Sequence, residues 1–295
     1  MAPRFRKKDE SVEAGFRRIA LAEIDETLAI IDDRGRTETD KVHKVRRQIK
    51  ALRALLRLVR PAFGRFRKEN RKFRDMARAL AHLRDAKVML DTFDAITGTQ
   101  KGRVLSRGLL TVRERLGTDR GAQADLRQLL EKTRNRLVKA RGRAEKWTLD
   151  GGGWQVIGKG LSRTYDHARD AMDETLESHD AEASHEWRKG VKYHGAQMRL
   201  LRKMKPLSLR KREKVAARLG DVLGARHDID MFLDTVAQAP ARYGDVITVT
   251  QLAGLARLHS ARLDRRARRL GQALFEDKAE KLARDWGAWW EEWQP

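Results

Sequence analysis

The sequence predicts an all-α protein made of two related helical bundles. Three observations carry this reading. Apolar residues recur at helical spacing, strand-like alternation is hard to find, and two basic stretches repeat one another's pattern about 140 residues apart. With 295 residues, 40% of them apolar and 36% charged, and with only 5 Pro and no Cys, the composition suits a soluble globular chain. It excludes a disulfide scaffold and thiol redox chemistry.

The elements follow in order. A first helix is predicted over 11–32. The second, over 39–60, is the clearest: Val42, Val45, Ile49, Leu52, Leu56 and Val59 recur at spacings of three and four, which is one face of a helix. Pro61 stops it, and helices are predicted over 64–96, 101–116 and 120–147. Asp150-Gly-Gly-Gly is the sharpest break near mid-chain and divides a first half, 1–150, from a second, 151–295. The second half carries predicted helices over 155–176, 180–204, 208–238, 249–272 and 277–292, with Pro206 and Pro240 in the breaks. Five helices per half, joined by short loops, suggest one bundle in each and a single domain from the two together. Trp286, Trp289, Trp290 and Trp293, at i, i+3, i+4 and i+7, are expected to dock the last helix on a core.

The formal charge is +23 and the isoelectric point about 10.7, which points to a polyanionic partner: nucleic acid, an anionic membrane or polyphosphate. The placement of that charge is more informative than its size. Residues 41–78 carry a net +13 and residues 185–218 a net +10, so the other 223 residues sum to zero. The two basic stretches also match in register. At an offset of 142, His43, Arg46, Arg47, Ile49, Lys50, Arg57 and Arg60 fall on His185, Arg188, Lys189, Val191, Lys192, Arg199 and Arg202.

Within helix 39–60 a second stripe runs one residue ahead of the apolar one: His43, Arg46, Lys50, Arg53, Arg57 and Arg60. It forms a basic ridge of roughly 25 Å by helix rise. The second copy repeats it as His185, Arg188, Lys192, Arg199 and Arg202, with Gly195 where Arg53 has its counterpart. A solvated face normally offsets Lys and Arg with acids at i+4, yet residues 41–60 hold eight Lys or Arg and no acid. The ridges, with Arg47, Lys189 and the more distant Arg78 and Arg218, are therefore the candidate anion-binding residues. The plainer alternative is that these side chains snorkel along an apolar face and keep the chain soluble. His43 and His185, each heading a ridge, can donate to an anion or gain charge as pH falls.

No metal site and no cofactor are expected, since neither histidine has ligand-type neighbours at suitable spacing. Asp85 and Asp228, each closing an L-x-x-x-x-D element beside Arg84 or His227, read as structural ion-pair partners rather than catalytic acids. Lys or Arg interrupts every apolar run, so membrane insertion is not expected. The N-terminus lacks the apolar stretch of a secretory signal, which favours a cytoplasmic location.

Taken together, His43-x-x-Arg46-Arg47-x-x-Lys50-x-x-Arg53, its echo His185-x-x-Arg188-Lys189-x-x-Lys192, Leu80-x-x-x-Arg84-Asp85-x-x-Val88, Leu223-Gly224-x-x-x-Asp228 and Gly160-Leu-Ser-Arg163-Thr-Tyr165 resemble the conserved histidine α-helical domain, CHAD, over nearly the whole chain. The resemblance implies two four-helix bundles related by a pseudo-twofold axis around a basic central channel. It also implies non-catalytic binding of inorganic polyphosphate and association with polyphosphate granules. About ten residues precede the first predicted helix, so a stand-alone copy without the triphosphatase-type neighbour of some relatives is expected. His194, Gly195 and His227 depart from the pattern. Two alternatives stay open: a nucleic-acid-binding protein, although no stacking aromatics interleave the ridges, and an enzyme phosphorylated on His43 or His185.

Overall fold

The computed structural model describes residues 3–80, 85–98, 105–118, 125–178 and 180–294. Among these residues every regular element is helical and no strand occurs. In chain order the helices are α1 (Val12–Asp32), α2 (Glu38–Leu58), α3 (Phe66–Ala79), α4 (Asp85–Thr97), α5 (Arg107–Thr118), α6 (Leu126–Ala144), α7 (Gly153–Ser178), α8 (Ala181–Leu201), α9 (Pro206–Gln238), the single turn α10 (Pro240–Tyr243), α11 (Val246–Leu274) and α12 (Ala279–Trp293). None of them is long and apolar enough to cross a membrane.

Local chemistry accounts for the ends. Thr37 caps α2 by accepting from the Asp40 amide at 3.3 Å, and Asp180 caps α8 by accepting from the Ala183 amide at 2.7 Å. Pro206 and Pro240 open α9 and α10, where the missing N–H is no loss. The chain enters α7 through Gly151 and Gly153, whose φ values of 93° and 61° suit glycine.

The chain folds as two compact units. Unit 1 comprises Met1–Ala81, Asp125–Ala217 and Ala273–Pro295; unit 2 comprises His82–Ala124 and Arg218–Gln272. Each unit therefore takes chain from both sides of residue 150, whereas the predicted halves divided there. The physical reason is packing across that boundary: in unit 1, α2 packs on α7 and α8 as well as on α1, α3 and α6. Its core holds the Phe16, Phe63 and Trp147 rings, with centroids 5.2–5.4 Å apart; in α12, buried Trp286 stacks on His194 of α8 at 5.9 Å, and the helix docks on α7 with buried Trp290 6.0 Å from the Trp154 ring. The indole of Trp154 donates to the Ala283 carbonyl at 2.9 Å and fixes that contact. Unit 2 has its own core, in which Phe93, Val112, Phe232 and Leu252 are buried together.

Two predicted elements differ. The stretch 64–96 is not one helix: α3 ends at Ala79 and Leu80 forms a turn, because α3 packs on α2 in unit 1 while α4 packs on α5 in unit 2. Helix 39–60 stops at Leu58, and Arg60–Ala62 form a single 3-10 turn around Pro61. Arg60 thus leaves the helical ridge.

Candidate functional site

The two stripes of α2 separate as their spacing requires. Val45, Ile49, Leu52, Leu56 and Val59 are fully buried and Val42 nearly so. Beside them the ridge begins exposed at His43 and Lys50, with Arg46 half-buried, and becomes half-buried at Arg53 and Arg57, as is Arg60 in the turn that follows. The change follows from what covers the helix: α7 and α8 close over its C-terminal end.

That closure is made by glycine. A Cβ on Gly160 of α7 would lie 1.9 Å from the Leu58 carbonyl oxygen and 2.8 Å from that of Arg57; one on Gly190 of α8 would lie 2.5 Å from the Ala168 Cβ of α7. Only a residue without a side chain lets these helices approach so closely. Around the two crossings is a cavity of about 290 Å³, lined among others by Arg57, Arg60, Arg163, His167, Glu186 and Lys189. Buried Thr164 also lines it, accepting from Gln197 Nε2 of α8 at 3.0 Å and so tying α7 to α8.

Arg57 and Arg53 are held by neutral groups. Arg57 Nη1 donates to Asn70 Oδ1 of α3 at 2.9 Å, and Arg53 Nε donates to the same oxygen at 3.1 Å. The Arg57 guanidinium also lies 4.1 Å from the centre of the Tyr193 ring of α8, and that of Arg53 5.7 Å from it. Burial pushes both guanidiniums below their ordinary range, with Arg74 and Arg78 adding to the effect at Arg53, yet arginine stays charged. Arg60, over the Phe66 ring at 4.9 Å, is lowered by burial and by neighbouring Arg163 and Arg67. Arg53 and Arg57 are thus fixed in place by an amide oxygen and a ring face, with Asp75 and Glu186 acting on them only through space.

The α8 ridge is arranged differently. Arg199 and Arg202 share Glu213, at 3.4 and 3.0 Å. Lys189 is paired with Glu186, which also takes His167 Nε2 at 3.3 Å. Burial raises Glu186, but the hydrogen bonds from Lys189 and His167 outweigh it and leave the carboxyl below its usual range. Gly195, where a cation was expected, is buried against Ala216 of α9, 3.4 Å from the place a Cβ would take. His185 and Lys192 are exposed and Arg188 is half-buried.

The ridges belong to one unit, in which α2 packs on α8. Arg57, near the end of α2, meets Tyr193 in α8, whereas the earlier Arg47 and the later Arg199 both act on Glu23 of α1. Arg78 is exposed at the end of α3 near Arg53, and Arg218 is exposed on the part of α9 that belongs to unit 2. Arg163, His167, Tyr193 and Asn70 were not singled out as site residues. Arg163 stood within the Gly160–Tyr165 motif, but the balanced charge of its segment hid it, and the other three carry no signal until α3, α7 and α8 meet α2. Arg84 and the side chain of Asp85 lie outside the described residues. Among the described residues no cluster of three or more His, Asp or Glu could hold a metal ion.

No curated protein and no solved structure matches the chain. The model of one protein family, the CHAD domain, does match, from residue 18 to residue 237. That span covers most of unit 1, both basic ridges and the helices around the cavity, so the chain belongs to the CHAD domain family.

Proposed function

We propose that this protein binds inorganic polyphosphate without altering it, through the basic residues of α2 and α8. The observation that carries the proposal is the group of positioned cations at the end of α2, where Arg53 and Arg57 are held by Asn70 and Tyr193 while Arg60, Arg163 and Lys189 stand nearby. A flexible, densely charged chain gains most from such preset donors, with Arg making bidentate contacts and Lys point-charge contacts. Family membership agrees with this ligand class. The matching residue pattern of the two ridges and the packing of α2 on α8 support a pseudo-twofold pair of ridges sharing one channel. Association with polyphosphate granules in the cytoplasm belongs to the same reading.

The test is a titration with polyphosphates of defined length at two salt concentrations, with DNA and RNA as competitors. Affinity should rise steeply with length until both ridges are spanned, because joining two weak sites through one ligand raises the effective concentration. It should fall with salt through counterion release, as for nucleic acids. Tighter binding of DNA or RNA would replace this reading with the nucleic-acid one. Shortened chains or phosphohistidine after incubation with Mg²⁺ would replace it with an enzyme.

A further inference from the structure

The cations at the end of α2 gather round a point rather than along a line. Arg57 and Arg60, Arg163 of α7 and Lys189 of α8 surround the cavity of about 290 Å³, with Glu186 the one carboxylate among its described lining residues. That volume corresponds to about ten waters. It accommodates two or three linked phosphoryl groups, not a length of coiled chain. Gly160 and Gly190, where α7 meets the α2 backbone and where α8 meets α7, line it too, so at those two crossings the helices leave no room for a ligand between them.

The two kinds of phosphate in a linear chain differ in just the property this cavity reads. An interior phosphate has one charge and two free oxygens. A terminal phosphate has three free oxygens and, like a phosphomonoester with a second pKa near 6, approaches two charges at neutral pH. Convergent guanidiniums suit the terminal group, since each can make a bidentate contact to a different pair of oxygens. Arg57 is preset for this by Asn70 and Tyr193, an amide oxygen and a ring face. Lys189 is paired with Glu186, which His167 also contacts and which acts through space on Arg57, so the cavity carries one counter-charge of its own.

We propose that this cavity takes the terminal phosphoryl group of a linear oligophosphate, so that the protein distinguishes chain ends from chain interiors. The proposal rests on the polyphosphate-binding reading above. It is tested by calorimetric titration of the full chain with linear tripolyphosphate, with cyclic tetrametaphosphate, which has similar charge and no end, and with long polyphosphate whose two ends are free or capped as phosphoramidates. Linear tripolyphosphate should bind at least tenfold more tightly than the ring, and Arg163→Gln or Lys189→Gln should shrink that ratio several-fold. Capping should weaken the long chain. Equal affinity for line and ring, or a ratio unchanged in both variants, would overturn the assignment of the cavity while leaving polyphosphate binding intact. Failure of the uncapped long chain to bind would instead overturn the underlying reading.

Discussion

Replacing Gly160 by alanine should loosen the fold and the anion site together. The added Cβ would lie 1.9 Å from the Leu58 carbonyl oxygen and 2.5 Å from its carbon, against an ordinary C···O separation of about 3.3 Å or more. The obstacle is α2 backbone, which cannot rotate aside as a side-chain tip would. Relief therefore needs α7 to move by about 1.4 Å, carrying Arg163 and His167 away from Arg57 and Arg60. Overpacking of this kind costs about 1–3 kcal/mol, and backbone contact places it at the upper end. Better helix propensity returns about 1 kcal/mol. The net loss is about 2 kcal/mol, a fall of roughly 4–8 °C in the melting temperature of a unit this size. Thermal unfolding followed by circular dichroism, paired with tripolyphosphate titration, measures both effects. Gly142→Ala supplies the comparison: it lies in α6 with nothing within 4 Å of the added methyl, so it should stabilise slightly and leave binding alone. If Gly160→Ala melts at or above the parent temperature, the close crossing of α7 on α2 is wrong.

Other expectations follow from the same structure. Asn70→Ala removes the acceptor shared by Arg53 and Arg57 and should lower stability by about 1–2 kcal/mol and weaken polyphosphate binding, read by melting and titration. Charge reversal of Arg46 and Lys50 should weaken polyphosphate binding severely and flatten its salt dependence, whereas an unchanged salt slope would remove the exposed ridge from the contact. The pH dependence of stability should show two opposed contributions. Burial, with Arg212 adding to it, lowers His194 from 6.5 to about 3, so the unfolded state takes the proton first and stability falls as pH drops below about 6.5. Burial and Glu26 raise Glu23 from 4.5 to about 7, so the folded state keeps its proton longer and stability falls as pH rises between those values. The two slopes offset between about pH 4.5 and 6.5. Urea unfolding across pH should therefore show Glu23→Gln gaining stability at pH 8, and His194→Leu losing less than the parent at acid pH; a parallel shift of all three curves would show that neither group titrates as described.

The chain's helical class, the buried stripe of α2 and the acid-free ridge beside it were decided locally, because period and charge are properties of consecutive residues. The same holds for the docking of α12 through its spaced tryptophans, of which Trp286 and Trp290 are buried. Tertiary structure decided what each cation does. Spacing places Arg199 and Arg202 in the same register as Arg57 and Arg60, yet Glu213 of α9 neutralises the first pair while Asn70 and Tyr193 leave Arg57 charged and fixed. Those partners come from other helices, at separations that no local pattern encodes. Gly195 is read correctly only once Ala216 is seen against it, and Arg163 joins Arg57 only because Gly160 lets α7 reach the end of α2. Charge along one helix is a sum over its own residues. The field at a site is a sum over neighbours in space, and that sum exists only after the helices have packed.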